Sequence, residues 1–350
     1  MLGTLRFVLA YFVLLSHFPE SGLKLGLGIT SVVVFYFISG YLMMKSFKRF
    51  KTYNNKPIFS FYIDRAIKIF PQYLIVLALT VCCFNIFGVS THNTYYGVSF
   101  ESYKVLFDSL LLPVNFAVGS IGDFFPQIAG RSIVPPAWSL SVEFHFYLLL
   151  PFLITLKTRS LIVTIVVSTA CLTISFFTDN AYFDTLNFGY RYILPMLVVF
   201  IFGMLFSSSE VTDRKLAFVI WAYFCALLIF VLPAFPAWYH FAVQEITLGV
   251  VIALHLFHYA INFKVNNKWF GAIDRLLGDL SYPVFLSHYL GIYLAQHLFG
   301  VSLFAKVYFL VSSVFITLMI SVFLVLLQRR IDTARINVRG FSSMNQKPAS

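Results

Sequence analysis

Charged residues make up only 11% of this 350-residue chain, against 59% hydrophobic. Each titratable side chain inside an apolar run is therefore a candidate for chemistry, because an ionisable group at membrane depth is costly unless it is paired or faces water. Arg6 and His17 stand eleven positions apart in the first such run. On a helix at about 100° per residue they fall within about 20° of one another, about 16 Å apart along the axis. Small Ala10 lies between them on the same side. An imidazole, with an unperturbed pKa of about 6.5, can exchange a proton near neutral pH. The same pair also reads as a snorkelling arginine at a helix end and a hydrogen-bonded interfacial histidine.

Glu143 follows Trp138-Ser139-Leu140-Ser141-Val142 and precedes Phe144-His145-Phe146-Tyr147. A carboxylate in such a run needs a partner. Tyr147, at i+4, can share its face, whereas His145 points elsewhere. Arg131 or His17 could supply the charge. Such a group serves equally as catalyst or as a tie between helices. Arg65 and Lys68, three apart in Asp64-Arg65-Ala66-Ile67-Lys68, present one basic face where the chain enters an apolar run. That face suits the phosphates of a nucleotide-type donor and equally suits anionic lipid head groups. Ser39-Gly40 permits close approach of another helix. His288 is an intramembrane histidine of unassigned partner. His255 and His258 share a face, but no third ligand suggests itself, and no metal is expected. The four cysteines, Cys82, Cys83, Cys171 and Cys225, sit in apolar runs without metal spacing.

The elements that must carry these residues are transmembrane helices. Ten apolar segments are expected, at about 3–18, 27–45, 69–90, 138–156, 160–177, 190–207, 215–233, 241–260, 280–299 and 304–327. The fold class is thus all-α and polytopic: one membrane domain over 1–328, followed by a short basic tail over 329–350. Residues 2–18 lack a small-x-small cleavage site at Phe18-Pro19-Glu20-Ser21 and read as an uncleaved helix. With both termini inside, twenty of the 25 Lys and Arg residues fall on the cytoplasmic side, leaving Lys24, Lys104, Arg131, Arg191 and Lys306 outside. Residues 46–68, basic and aromatic, are expected to lie along the inner surface. Residues 91–137 form an outer loop with His92, Asn93, Asp123, Gln127 and Arg131, ended by Pro135-Pro136.

The formal charge of +11 sits in loops between apolar spans, not in a stripe beside stacking aromatics. It marks topology, and excludes nucleic acid as a partner while naming membrane lipid as one. No internal repeat of the inverted-repeat transporter kind is present. A transporter or flippase of a glycan precursor is nevertheless the competing class for a polytopic chain.

In order along the chain, Leu5-Arg6 with His17, Phe35-Tyr36-Phe37-Ile38-Ser39-Gly40-Tyr41-Leu42, Arg65 with Lys68, Pro71 and Tyr73, Trp138 to Tyr147, and Ser281-Tyr282 leading to His288 together resemble the membrane-bound acyltransferase family 3. That family includes O-antigen and exopolysaccharide O-acetylases. The resemblance implies an inner-membrane O-acyltransferase that takes an acyl group from acetyl-CoA or another acyl-CoA and passes it to a carbohydrate hydroxyl outside. It implies that His17 is catalytic with Glu143 in support, and that Arg6, Arg65 and Lys68 contact the donor. Ser39, Tyr147, Tyr282 and His288 are candidates for supporting roles. The family often has Arg where this chain has Lys68, and a polar residue where it has Phe144. The sequence assigns no oligomeric state.

Overall fold

A computed structural model describes residues 1–18, 27–88, 102–118, 132–178, 180, 182–231, 233, 241–263, 268–299 and 306–339. Among these the chain forms twelve α-helices and no strand: α1 (Leu2–Ser16), α2 (Gly28–Tyr53), α3 (Pro57–Phe87), α4 (Ser102–Ser109), α5 (Val114–Val118), α6 (Ala137–Leu153), α7 (Thr158–Phe176), α8 (Ile193–Phe206), α9 (Val211–Ala226), α10 (Phe241–Asn262), α11 (Lys268–Phe299) and α12 (Lys306–Arg339).

Each of the ten expected apolar segments coincides with one of these helices, the exceptions being the short α4 and α5. Among the described residues five helices are long and apolar enough to cross a membrane: α2, α3, α7, α10 and, within α12, Val307–Thr333. Their surfaces carry the signature of a lipid solvent. Val163, Val166 and Ile174 on α7 and Phe315, Met319 and Phe323 on α12 are exposed, an arrangement that water would penalise by about 25 cal/mol per Å². Conversely α8, apolar all round, is buried on nearly every face, as expected of a helix at the centre of a bundle.

The basic segment 46–68 differs from its expected surface-lying form. α2 runs on through Tyr53, and α3 starts at Pro57, leaving only Asn54, Asn55 and Lys56 between them. Pro57 occupies the first helical position, where its missing N–H costs nothing. The Asn54 side chain accepts from the Lys56 N–H at 3.0 Å and turns the chain. Phe47 and Phe50, on one face of α2, pack edge-on against Phe61 of α3 with ring centroids 5.3 and 6.0 Å apart. Burying these rings draws the basic stretch inward as two helix ends. α11 likewise begins at Lys268, earlier than expected, and α12 continues to Arg339, past the expected boundary at 328. His92, Asn93, Asp123, Gln127 and Arg131 lie outside the described residues.

α1 packs against α11, α2 and α10, while α2 also packs against α8 and α10. Gly40 of α2 sits on the Phe200 carbonyl of α8, and Gly203 of α8 sits on the Phe37 carbonyl of α2. Any Cβ at either site would enter the partner's backbone, so this reciprocal contact sets the spacing of the two helices. α1 is fixed lengthwise by Asp274 of α11, which accepts from both the N–H and the hydroxyl of Thr4 at 2.8 Å. In α3, Pro71 removes the donor that the Ile67 carbonyl would use. The Gln328 amide of α12 donates to that carbonyl at 3.3 Å.

Candidate active site

At the basic end of the bundle, α1, α2, α3, α6, α11 and α12 enclose a cavity of about 360 Å³, within the size range of small-molecule sites. Six cations line it, Arg6, Lys45, Arg49, Arg65, Lys68 and Arg335, with Glu143 as the lone carboxylate among the lining residues. Ser39, Ser139, Tyr147 and Tyr282 add hydroxyls. Lys45 and Arg49 are exposed at the mouth, with the Lys45 ammonium 4.5 Å from the centre of the Tyr41 ring. Arg65 is buried. It pairs with Asp64, and its Nη1 reaches the Met43 sulfur at 3.2 Å. Its Nε has no hydrogen-bond partner among the described residues. No carboxylate lies within 4.0 Å of the Arg6 guanidinium among the described residues. A wall this cationic, with an orphaned buried donor, suits an anion that brings its own acceptors, as a phosphate does.

Glu143 reaches this cavity because α6 is anchored at its start. Asp108 of α4 accepts from the Ile133 N–H at 2.6 Å and the Ser132 hydroxyl at 3.0 Å, just before Pro135-Pro136. Burial raises the Asp108 carboxyl above its usual range, opposed by those two hydrogen bonds. One turn into α6, the Ser141 hydroxyl bonds the Leu112 carbonyl at 2.7 Å and the Asn115 side chain at 2.8 Å. Glu143 Oε1 then accepts from the hydroxyls of Ser39 and Tyr147. The i+4 tyrosine is thus its partner, together with a serine from α2, while the alternative Arg131 lies outside the described residues. Tyr282 lines the same space and donates to the Ile69 carbonyl at 3.1 Å.

His17 is elsewhere. It caps the C-terminus of α1, at the opposite end of that helix from Arg6, and is not among the residues lining the basic cavity. The structure brings Glu143 together with Arg6, Arg65 and Lys68, and brings His17 together with α11. Its Nδ1 lies 2.9 Å from the Tyr289 hydroxyl, and its ring stacks on that of His288 with centroids 5.2 Å apart and planes 13° apart. His288 Nδ1 is 2.6 Å from the Phe285 carbonyl, so the proton of its neutral ring belongs on Nδ1. Its fully buried Nε2 has no partner among the described residues. Phe285, whose ring centre is 6.1 Å from that of His288, also lines the basic cavity. The two sites are therefore separated by one phenyl ring and one imidazole along α11.

Among the described residues no group of three His, Cys, Asp or Glu side chains could hold a metal ion. His255 packs against Trp221, and His258 contacts Asn262.

The family model described as an acyltransferase domain matches residues 2–326, nearly the whole chain. The chain belongs to acyltransferase family 3. A protein of Aquifex aeolicus (strain VF5), described only as an uncharacterized protein, is 27% identical over 222 residues, covering 59% of this chain and 90% of its own. No solved structure matches. Family 3 membership and the lipid-facing helices make this a multi-pass membrane acyltransferase.

Sequence reasoning missed several residues of these two candidate sites. Lys45 and Arg49 were legible only as topology charges, and their place at the cavity mouth depends on α2 continuing past the apolar run. Arg335 belonged to an expected tail. Tyr289 adjoins His288 in sequence, yet its contact with His17 requires α1 and α11 to be neighbours. Asp64 carried no signal beyond standing next to Arg65.

Proposed function

We propose that this membrane acyltransferase takes an acyl group, acetyl in the simplest case, from acyl-CoA on the cytoplasmic side of the inner membrane. It transfers that group to a hydroxyl of a cell-surface or lipid-linked carbohydrate on the other side. The observation that carries this reading is the cavity at the basic end of the bundle, with six cations facing a single carboxylate. A CoA-type donor is a polyphosphate with a long, flexible, largely apolar thioester arm. Its phosphates suit Arg6, Arg65 and Lys68, and the orphaned Arg65 Nε gains an acceptor when a phosphoryl oxygen arrives. The charge distribution that favours cytoplasmic termini supports a cytoplasmic side for this cavity, the side where acyl-CoA is made.

From the cavity the thioester arm has to reach His17, about 16 Å further along α1. Val32, Phe35 and Phe285 line the cavity beside its polar wall and suit an apolar chain. At His17 the hydroxyl of the acceptor loses its proton to the imidazole as its oxygen attacks the thioester carbonyl carbon. The C–S bond then breaks, and the departing thiolate takes up the proton. General-base catalysis of this kind contributes about 10²–10⁴-fold. Tyr289, bonded to the ring, holds it in position.

Mass spectrometry of surface and lipid-linked carbohydrate from cells with and without the gene tests the reading. An acyl-sized mass increment that requires the gene supports it. Identical masses, together with altered movement of a glycan precursor across the membrane, would replace it with the transporter reading.

A further inference from the structure

Resting on the acyl-CoA reading, we infer that Arg335, on the C-terminal extension of α12, is a donor-binding residue, clasped in place by buried Asp64 so that its free N–H groups meet a phosphate of the donor. Arg335 lies nine residues beyond the end of the family match at residue 326, yet it lines the same cavity as Arg6, Arg65 and Lys68.

Asp64 is fully buried, a position that an unpaired carboxylate cannot hold. Two arginines flank it. Arg65 pairs with Oδ2, and Arg335 donates from Nε to Oδ1 at 3.1 Å and from Nη2 to Oδ2 at 3.4 Å. Asp64 and Asp332 together offset the two arginines, so what the wall offers here is a held guanidinium and not surplus charge. Arg335 Nη1 donates to Asp332 Oδ1 at 2.8 Å, and that same oxygen accepts from the Gln328 amide at 3.0 Å. A guanidinium has five N–H groups. The three bonds to Asp64 and Asp332 leave two, on a planar head already locked by its own partners. Such a preorganised fork loses little entropy on binding and suits a phosphate better than a mobile lysine. Gln72 donates to Gln328 at 3.3 Å. This end of α12 is thus fastened to α3 at Asp64 by Arg335 and at Ile67 and Gln72 by Gln328.

The test uses full-length protein in detergent, with CoA itself as the probe, and compares wild type with Arg335→Ala, Arg335→Lys and Arg65→Ala. CoA dissociation constants are measured directly, and transfer of labelled acetyl to endogenous membrane acceptor is followed as acetyl-CoA is varied. Arg335→Ala is expected to raise both the CoA Kd and the donor KM at least tenfold, with kcat within twofold and a lower unliganded unfolding midpoint, because buried Asp64 loses one of its two partners. Arg335→Lys is expected to recover part of the affinity. Wild-type CoA affinity in Arg335→Ala overturns the inference, as does a fall in kcat with CoA Kd unchanged. If both Arg335 variants fail to fold, the residue is a structural tie and the inference is overturned. A wild-type protein that neither binds CoA nor uses acetyl-CoA removes the acyl-CoA reading itself. A protein that binds CoA and is weakened by Arg65→Ala alone removes only the role of Arg335.

Discussion

The Tyr289 hydroxyl stands 2.9 Å from His17 Nδ1 across 272 positions of sequence, joining the last residues of α1 to the middle of α11. An imidazole used as a base must present one nitrogen to its substrate, and the same hydroxyl is 3.4 Å from Nε2, so the shorter bond to Nδ1 favours Nε2 as the nitrogen presented. Tyr289→Phe keeps the ring that packs on His17 at 4.6 Å and removes only the hydroxyl. The expected loss is about 1 kcal/mol, roughly fivefold in kcat, with the donor KM unchanged. Steady-state acyl transfer checks it, and a wild-type kcat would show that the hydroxyl does not orient the base.

Arg6 and Arg65 face the basic cavity, whereas His17 lies at the other end of α1. Arg6→Ala and Arg65→Ala should each raise the donor KM by about tenfold or more, as expected for a lost charge-assisted bond of about 1.5–3 kcal/mol, and leave the acceptor KM alone. Arg65→Lys should recover little, since an ammonium cannot reproduce both the Asp64 pair and the Met43 contact. An effect of equal size on both substrates would contradict this division of labour.

Glu143 accepts from both Ser39 and Tyr147. Removing the acceptor leaves two hydroxyls without it in a half-buried site, so Glu143→Ala should destabilise the protein by about 1–3 kcal/mol. Glu143→Gln, whose amide oxygen still accepts, should be milder. Denaturant unfolding of the detergent-solubilised protein reads the difference, and equal stability for the two variants would mean the hydroxyls find other partners.

Gly40 and Gly203 admit each other's helix backbone. Gly203→Leu should push α8 away from α2 by an overpacking cost of about 1–3 kcal/mol or more and lower the amount of folded protein in the membrane. Recovery of normal levels would show that this contact does not set the helix spacing.

Much of the fold was legible because lipid imposes a simple code. An apolar run must become a helix, and each expected segment did fall on one. The helix ends were less legible. α2 and α3 extend into the basic segment because Phe47, Phe50 and Phe61 bury one another, a tertiary event that hydropathy does not encode. The pairing of Glu143 with Tyr147 followed from i+4 spacing, and the close approach at Gly40 followed from its size. The contacts Glu143–Ser39, His17–Tyr289 and Asp64–Arg335 did not, since each joins residues more than a hundred positions apart and depends on which helices are neighbours. Spacing along α1 put Arg6 and His17 on one side of a helix, but a shared helix face does not make a shared cavity.

The role of His17 is tested most directly by expressing His17→Ala at wild-type levels in the membrane and measuring two quantities in the same preparation: CoA affinity and acyl transfer to membrane carbohydrate. The account predicts that CoA binding stays within about twofold of wild type while transfer falls by at least about 10²-fold. Full transfer by His17→Ala protein would contradict it.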